Sequence, residues 1–302
     1  MDGYASGVHH HGRSKEVSWS RTFLTQAALC FFLFAAFKIG EPQIEVPLSS
    51  APAPDLGTVR SVEPSTDFYF LSVAGGSRPI ESQSWLLKQM EMFAKIYKPK
   101  FVLNVAQLGE EDPLWHNATH HPELLKMPWY TTTASKGRGI GNFMKKIELP
   151  YDQVLEIIGI DTGVFQNLLQ NETNNTDFKE QIDWLRQTLA STTADWRIVV
   201  GFNPLVVCNK QNNKEATKLW GLLQDIFLRY RVNAYLSTNG CSSYIYRDLG
   251  ISYIEHLRPT DKLHSGFLLH GVSPLDIKTY LVDSKGRVKL KYSFTQQGRG
   301  AI

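Results

Sequence analysis

The amino-acid sequence predicts an α/β fold in which two β-sheets pack face to face and helices cover their outer faces. Three observations support this class. Buried strands alternate with amphipathic helices from residue 66 onward. The last part of the chain holds only short strands and tight turns, which is typical of an antiparallel meander. No linker interrupts residues 66–295, so one large domain is expected. A layered sandwich buries the apolar faces of such sheets and helices.

The individual elements follow from the spacing of apolar residues. The first strand runs through FYFLSV and stops at Gly75-Gly76. Apolar residues three or four positions apart predict a helix over 81–97, which Pro99 ends. Helices are also predicted from Asp177 to about Leu189 and over 213–231. Further strands are predicted at 101–106, 154–160, from 198, and at 234–237, 251–255, 266–271, 277–283 and 288–294.

Composition excludes several classes of protein. A formal net charge of +3 over 302 residues is too small and too dispersed to indicate a nucleic-acid partner. Only three cysteines are present, so neither a disulfide scaffold nor a thiolate zinc site is expected. The hydrophobic fraction of 42% leaves room for a substantial core.

The N-terminal region predicts a single-pass membrane protein of type II. Residues 22–37 carry no charge, and basic residues precede them. We expect an uncleaved transmembrane signal anchor at 22–40 that follows a cytoplasmic tail at 1–21. A cleaved signal peptide and a buried soluble helix are the alternatives. A Pro- and Ser-rich stalk at 41–65 then leads to a luminal or extracellular domain at 66–302. Three glycosylation sequons agree with this orientation: Asn117, Asn171 and Asn174.

Several stretches carry a resemblance to a known family. They are PWY at 128–130, IGIDTGVF at 158–165, QIDWLRQTLASTTADWRIVVG at 181–201 and the closing YLVDSKGRVKLKYSF. Over residues 66–295 the chain resembles purple acid phosphatases, which are calcineurin-like metallophosphoesterases. The resemblance implies a four-layer sandwich of two mixed sheets flanked by helices. It also implies a site of two metal ions, such as iron, zinc or manganese, that activate a water and hold a phosphate group.

The family motifs can be laid on this sequence without gaps, but their ligating residues are changed. In this alignment, Lys136 stands where the resembling family has its general-acid histidine. Asn203 stands where the family has the second histidine of its fourth motif. The resemblance places former metal-ligand positions at Gly75, Gln107, Glu110, Ser135, Phe202, Asn239 and Cys241. Gly75 and Phe202 have no side-chain donor, and no carboxylate stands at the bridging position. Two adjacent cations would lack compensating charge here.

The resemblance and these substitutions together predict a catalytically inactive protein, a pseudophosphatase without a metal cofactor. We expect it to bind or scaffold a protein, a glycan or an anionic ligand in the secretory pathway, besides its contact with the membrane. An active phosphoesterase with non-standard ligands is the main alternative. A degenerate paralogue without a molecular role is a third possibility.

Five smaller hypotheses concern individual residues. Arg78, Lys136 and Arg138 are candidates for binding a phosphate-like anion without metal. Cys208 and Cys241 follow motifs whose loops are neighbours in the family, so they form either a disulfide or two small buried thiols. Three other groups are expected to have no catalytic role: the histidines of WHNATHH (116–121) in an exposed loop, Glu110, Glu111 and Asp112 in a solvated turn, and Asp161 as a structural strand-end residue.

Overall fold

A computed structural model describes residues 23–32, 68–134, 141–165, 175–205, 214–238, 245–256, 266–283 and 285–296. The chain divides into two compact units, Met1–Ala53 and Pro54–Ile302. In the first unit, residues 23–32 form a helix, α1, with exposed side chains. The rest of the predicted anchor at 22–40, the tail at 1–21 and the stalk at 41–65 lie outside the described residues. Among the described helices, none is long and apolar enough to cross a membrane.

The described residues of the second unit form two six-stranded sheets. In the first sheet, β1 (Phe68–Ala74), β2 (Val102–Val105) and β3 (Trp129–Thr131) are parallel. An antiparallel meander extends it through β10 (Gly266–Val272), β11 (Asp276–Asp283) and β12 (Val288–Thr295). The outer face carries α2 (Ile80–Tyr97), α3 (Pro113–Ala118) and α4 (Pro122–Leu125).

The second sheet has the order β4-β5-β6-β7-β9-β8. Its central strands β5 (Val154–Ile160), β6 (Trp196–Gly201), β7 (Ala234–Thr238) and β9 (Ile251–His256) are parallel. The edges β4 (Phe143–Glu148) and β8 (Ile245–Asp248) are antiparallel to their neighbours. The helices α5 (Asn175–Ser191) and α6 (Lys214–Arg229) belong to this half of the domain.

The alternation of side chains along each strand builds a four-layer sandwich. In β1, Phe68 and Phe70 belong to the core cluster between the sheets, whereas Tyr69 and Leu71 belong to the cluster beneath α2. In the second sheet, Ile157 faces the first sheet and Ile158 faces the side of α5. The predicted fold of two mixed sheets flanked by helices is confirmed.

The parallel strands of the two sheets point in the same direction. At their carboxyl ends, Thr133 after β3 donates a hydrogen bond to Asp161 after β5, with an oxygen–oxygen distance of 3.1 Å. At the opposite end, the Gln153 amide of the β4–β5 loop donates to the Pro274 carbonyl of the β10–β11 loop at 3.2 Å. The domain therefore has a carboxyl-end face, where the former motifs lie, and an opposite amino-end face.

Candidate functional site at the carboxyl-end face

Gly75 follows β1 in a space that other residues fill completely. A Cβ atom at this position would lie 2.5 Å from the Cβ of Ala106, 2.7 Å from Oδ2 of Asp112 and 2.8 Å from Oδ1 of Asn104. Real Cβ atoms do not approach other atoms so closely. This former ligand position therefore has neither a side chain nor room for one.

Asp112 supplies the carboxylate that lies against Gly75. It is fully buried and caps α3, because one of its oxygens accepts hydrogen bonds from the backbone N–H groups of Leu114 (3.1 Å) and Trp115 (3.4 Å). The other oxygen accepts from the N–H of Gly76 at 2.6 Å, and Asn104 donates to the carboxylate at 3.1 Å. The carboxylate thus ties the β1 loop to the start of α3.

This arrangement corrects part of the predicted solvated acidic turn. Glu110 and Glu111 are exposed as expected, but Asp112 is not. The sequence contained the signal, since Asp112 stands directly before Pro113, and a proline in the first turn after an aspartate is typical of a helix start.

Arg78 folds back onto the loop that carries it. It is buried, and its guanidinium donates hydrogen bonds to the carbonyl groups of Ala74 and Gly76. Burial lowers the pKa of Arg78 to about 10, and the nearby carboxylate of Asp112 acts in the opposite direction. The guanidinium thus caps the end of β1. The other two candidate anion ligands, Lys136 and Arg138, lie outside the described residues, and the anion site stays a prediction.

Phe202 and Asn203 follow β6 in the fourth former motif. The Asn203 side-chain amide donates to the carbonyl and hydroxyl of Thr162 at 3.3 and 3.1 Å, and its backbone N–H donates to the same hydroxyl at 3.0 Å. The Tyr235 hydroxyl donates to the Asn203 carbonyl at 2.8 Å, and Thr238 donates to the Phe202 carbonyl at 2.7 Å. Hydrogen bonds therefore connect the carboxyl ends of β5, β6 and β7.

Asp161 is buried and has the contacts of a structural strand-end residue. Besides Thr133, its carboxylate accepts from the N–H groups of Gly163 at 2.9 Å and Gly141 at 3.4 Å. Burial raises its pKa, and these hydrogen bonds act against that rise. The carboxylate holds three loops together and is committed to protein donors.

Two buried histidines near this face were not singled out in the sequence. His270 on β10 lies 2.6 Å from the Ser72 hydroxyl and 2.9 Å from the Thr279 hydroxyl. His256 ends β9, and its Nε2 atom has no hydrogen-bond partner. Burial lowers the pKa of His256 to about 3, and the charge of Arg78 adds to the effect. Ser72 and His270 have the distance of a nucleophile and its base, yet both are buried in the core, where a substrate has no access.

The remaining predicted positions are distributed as follows. Gln107 and Glu110 are exposed. Asn117 is exposed on α3, so its sequon is sterically open. The positions that lie outside the described residues are Ser135, Lys136, Arg138, Asn171, Asn174, Cys208, Asn239 and Cys241.

The histidines of WHNATHH do not lie in a simple exposed loop. His116 is exposed but belongs to α3, and His120 is exposed beyond the end of that helix. His121 is partly buried, with its Nδ1 3.1 Å from a carboxylate oxygen of Glu91. The predicted loop is wrong for the helical part, because Asp112 and Pro113 begin a short helix there.

The described side chains do not fit a two-metal centre. Gly75 and Phe202 offer no donor, while Asp112 and Asp161 are bound to protein N–H and O–H groups. Within the described ranges, no group of three or more histidine, cysteine, aspartate or glutamate side chains could hold a metal ion. Metal clusters in proteins depend on such carboxylate and imidazole ligands.

Comparison with known proteins shows the fold. No family model and no curated protein sequence matches the chain. A solved structure described as GAP50, the anchor in the inner membrane complex of Plasmodium, matches with a TM-score of 0.61 and 18% identity over 78% of this chain and 91% of its own. A dimetal phosphatase from Danio rerio matches with a TM-score of 0.51 and 10% identity over 77% and 100%. The chain has the calcineurin-like metallophosphoesterase fold.

Proposed function

We propose that this protein is a non-hydrolytic member of the metallophosphoesterase fold that binds or scaffolds a partner at a membrane of the secretory pathway. The occupied space beside Gly75 carries this proposal. An aspartate at position 75 would clash with Ala106, Asn104 and Asp112. The metal-ligating aspartate of the family's first motif therefore cannot be accommodated at this position. Protein hydrogen bonds at Asn203 support the same conclusion for the fourth motif.

A binding role agrees with one of the structural neighbours. GAP50 is described as the anchor in the inner membrane complex of Plasmodium. For the present chain we propose a comparable use of the fold, with residues 22–40 as a single-pass signal anchor and residues 66–302 on the luminal side. A protein, a glycan or an anionic ligand remains the proposed partner.

Metal content and turnover of the purified full chain test the absence of hydrolysis. We expect no stoichiometric iron, zinc or manganese and no hydrolysis of an aryl phosphate from acid to neutral pH. The Danio rerio dimetal phosphatase, purified and assayed in parallel, is the positive control. Bound metal together with turnover would overturn the proposal.

An active hydrolase with unusual ligands is the second candidate, and two uncommitted donor atoms favour it. Oδ1 of Asn104 and Nε2 of His256 are buried without hydrogen-bond partners, on strands that end at the carboxyl-end face. If the chain turns over an aryl phosphate, Asn104→Ala and His256→Ala should each lower kcat at least tenfold in this candidate. Unchanged kcat in both variants would exclude these two atoms as ligands.

Glycosylation tests the proposed orientation. If the domain is luminal, Asn117 is open to modification, since it is exposed on α3. Expression of the full chain in a eukaryotic cell should give a product whose mass falls after deglycosylation. Asn117→Gln should remove part of that shift. A chain without any glycan would contradict the luminal placement.

A further inference from the structure

We draw no further inference here: the strongest candidate, the three buried atoms at the carboxyl-end face that have no hydrogen-bond partner among the described residues (Nε of Arg78, Oδ1 of Asn104 and Nε2 of His256), belongs to the site already described.

Discussion

Gly75 is the residue at which the former metal site is most clearly closed. Side chains from β2, from the following loop and from the start of α3 converge on its α-carbon. The carboxylate of Asp112 reaches the main chain of the β1 loop directly, as shown by the 2.6 Å hydrogen bond from Gly76. A glycine allows this approach because it has no Cβ atom.

Gly75→Ala is expected to destabilise the protein by about 1–3 kcal/mol, the usual effect of overpacking a core. The added methyl group would have to displace Ala106, Asn104 or Asp112, all of which are fixed by the backbone or by hydrogen bonds. Thermal or urea unfolding of the purified chain measures the change. Gly221→Ala is the matched control, because nothing lies within 4 Å of a Cβ in this α6 position. It should be neutral or stabilising by up to about 1 kcal/mol. Equal stability of both variants would contradict the crowding argument.

His256 and His270 make the stability of the domain dependent on pH. Burial, with the charge of Arg78 adding to it, lowers the pKa of His256 from 6.5 to about 3. Burial also lowers the pKa of His270 well below its usual value. Below pH 6.5, the unfolded chain therefore binds protons that the folded chain does not. The contribution of both histidines is complete above pH 6.5 and is lost as the pH falls, for His256 until about pH 3.

Between pH 6.5 and about 3, His256 changes the free energy of unfolding by about 1.4 kcal/mol per pH unit. His256→Phe should therefore reduce the pH slope by about this amount. Denaturant unfolding at a series of pH values measures the slope. His116→Gln, at an exposed position on α3, is unfolded in parallel as the control for the loss of a histidine. A His256 variant with the slope of the wild type would show that the folded protein protonates this residue.

At the scale of elements, the buried strands were predicted, whereas among the four edge strands only β12 was. The strand at 154–160 was predicted with its exact bounds, since both faces are buried and the run VLEIIGI is nearly all apolar. The edge strands β4 and β8 were missed, because FMKKIE and IYRD mix charged and apolar residues. Strand β3 was missed because it has only three residues, Trp129–Thr131.

The site was less predictable than the fold for a related reason. The closing of the former site depends on pairs far apart in the sequence, such as Gly76 with Asp112 and Asn203 with Thr162. The sequence around one residue of such a pair does not indicate which distant residue it will contact. The motif positions themselves located Gly75 and Phe202 at strand ends, as expected. The contacts that fill the space around them come only from the way the strands pack.

In the β8–β9 turn, the residue at position 249 differs from the residue that the backbone geometry of the turn favours. Leu249 and Gly250 form a two-residue turn with φ values of 47° and 88°. A type I′ turn of this kind favours asparagine followed by glycine. Leu249→Asn should therefore stabilise the isolated chain by about 0.5–1 kcal/mol, since asparagine tolerates the left-handed region. The change in the urea midpoint measures this. Gly250→Ala is the opposing control and should destabilise, because alanine is strained at φ 88°. A destabilised Leu249→Asn variant would show that the leucine has a packing role within the domain.

The two ends of the whole molecule have different character. At the carboxyl-end face, buried protein groups such as Asp112 and Arg78 fill or cap the strand ends. At the amino-end face, apolar side chains such as Leu275 project outward. A working phosphoesterase needs an open, polar carboxyl-end site. In the described residues, protein side chains such as Asp112 and Arg78 instead occupy these strand ends.

Removal of metal from the whole protein gives the last prediction. A bound ion at a hundred times its dissociation constant would stabilise the folded chain by about 2.7 kcal/mol. For a domain of this size, that energy corresponds to a thermal midpoint several degrees higher, at about 2–4 °C for each kcal/mol. We expect the midpoint of the full chain to be the same before and after dialysis against a chelator. Readdition of manganese, zinc or iron should also leave it unchanged, because the described strand ends are occupied by protein hydrogen bonds. A midpoint that falls with the chelator and recovers with one of these metals would show that a metal site persists, and the non-hydrolytic proposal would lose its physical basis.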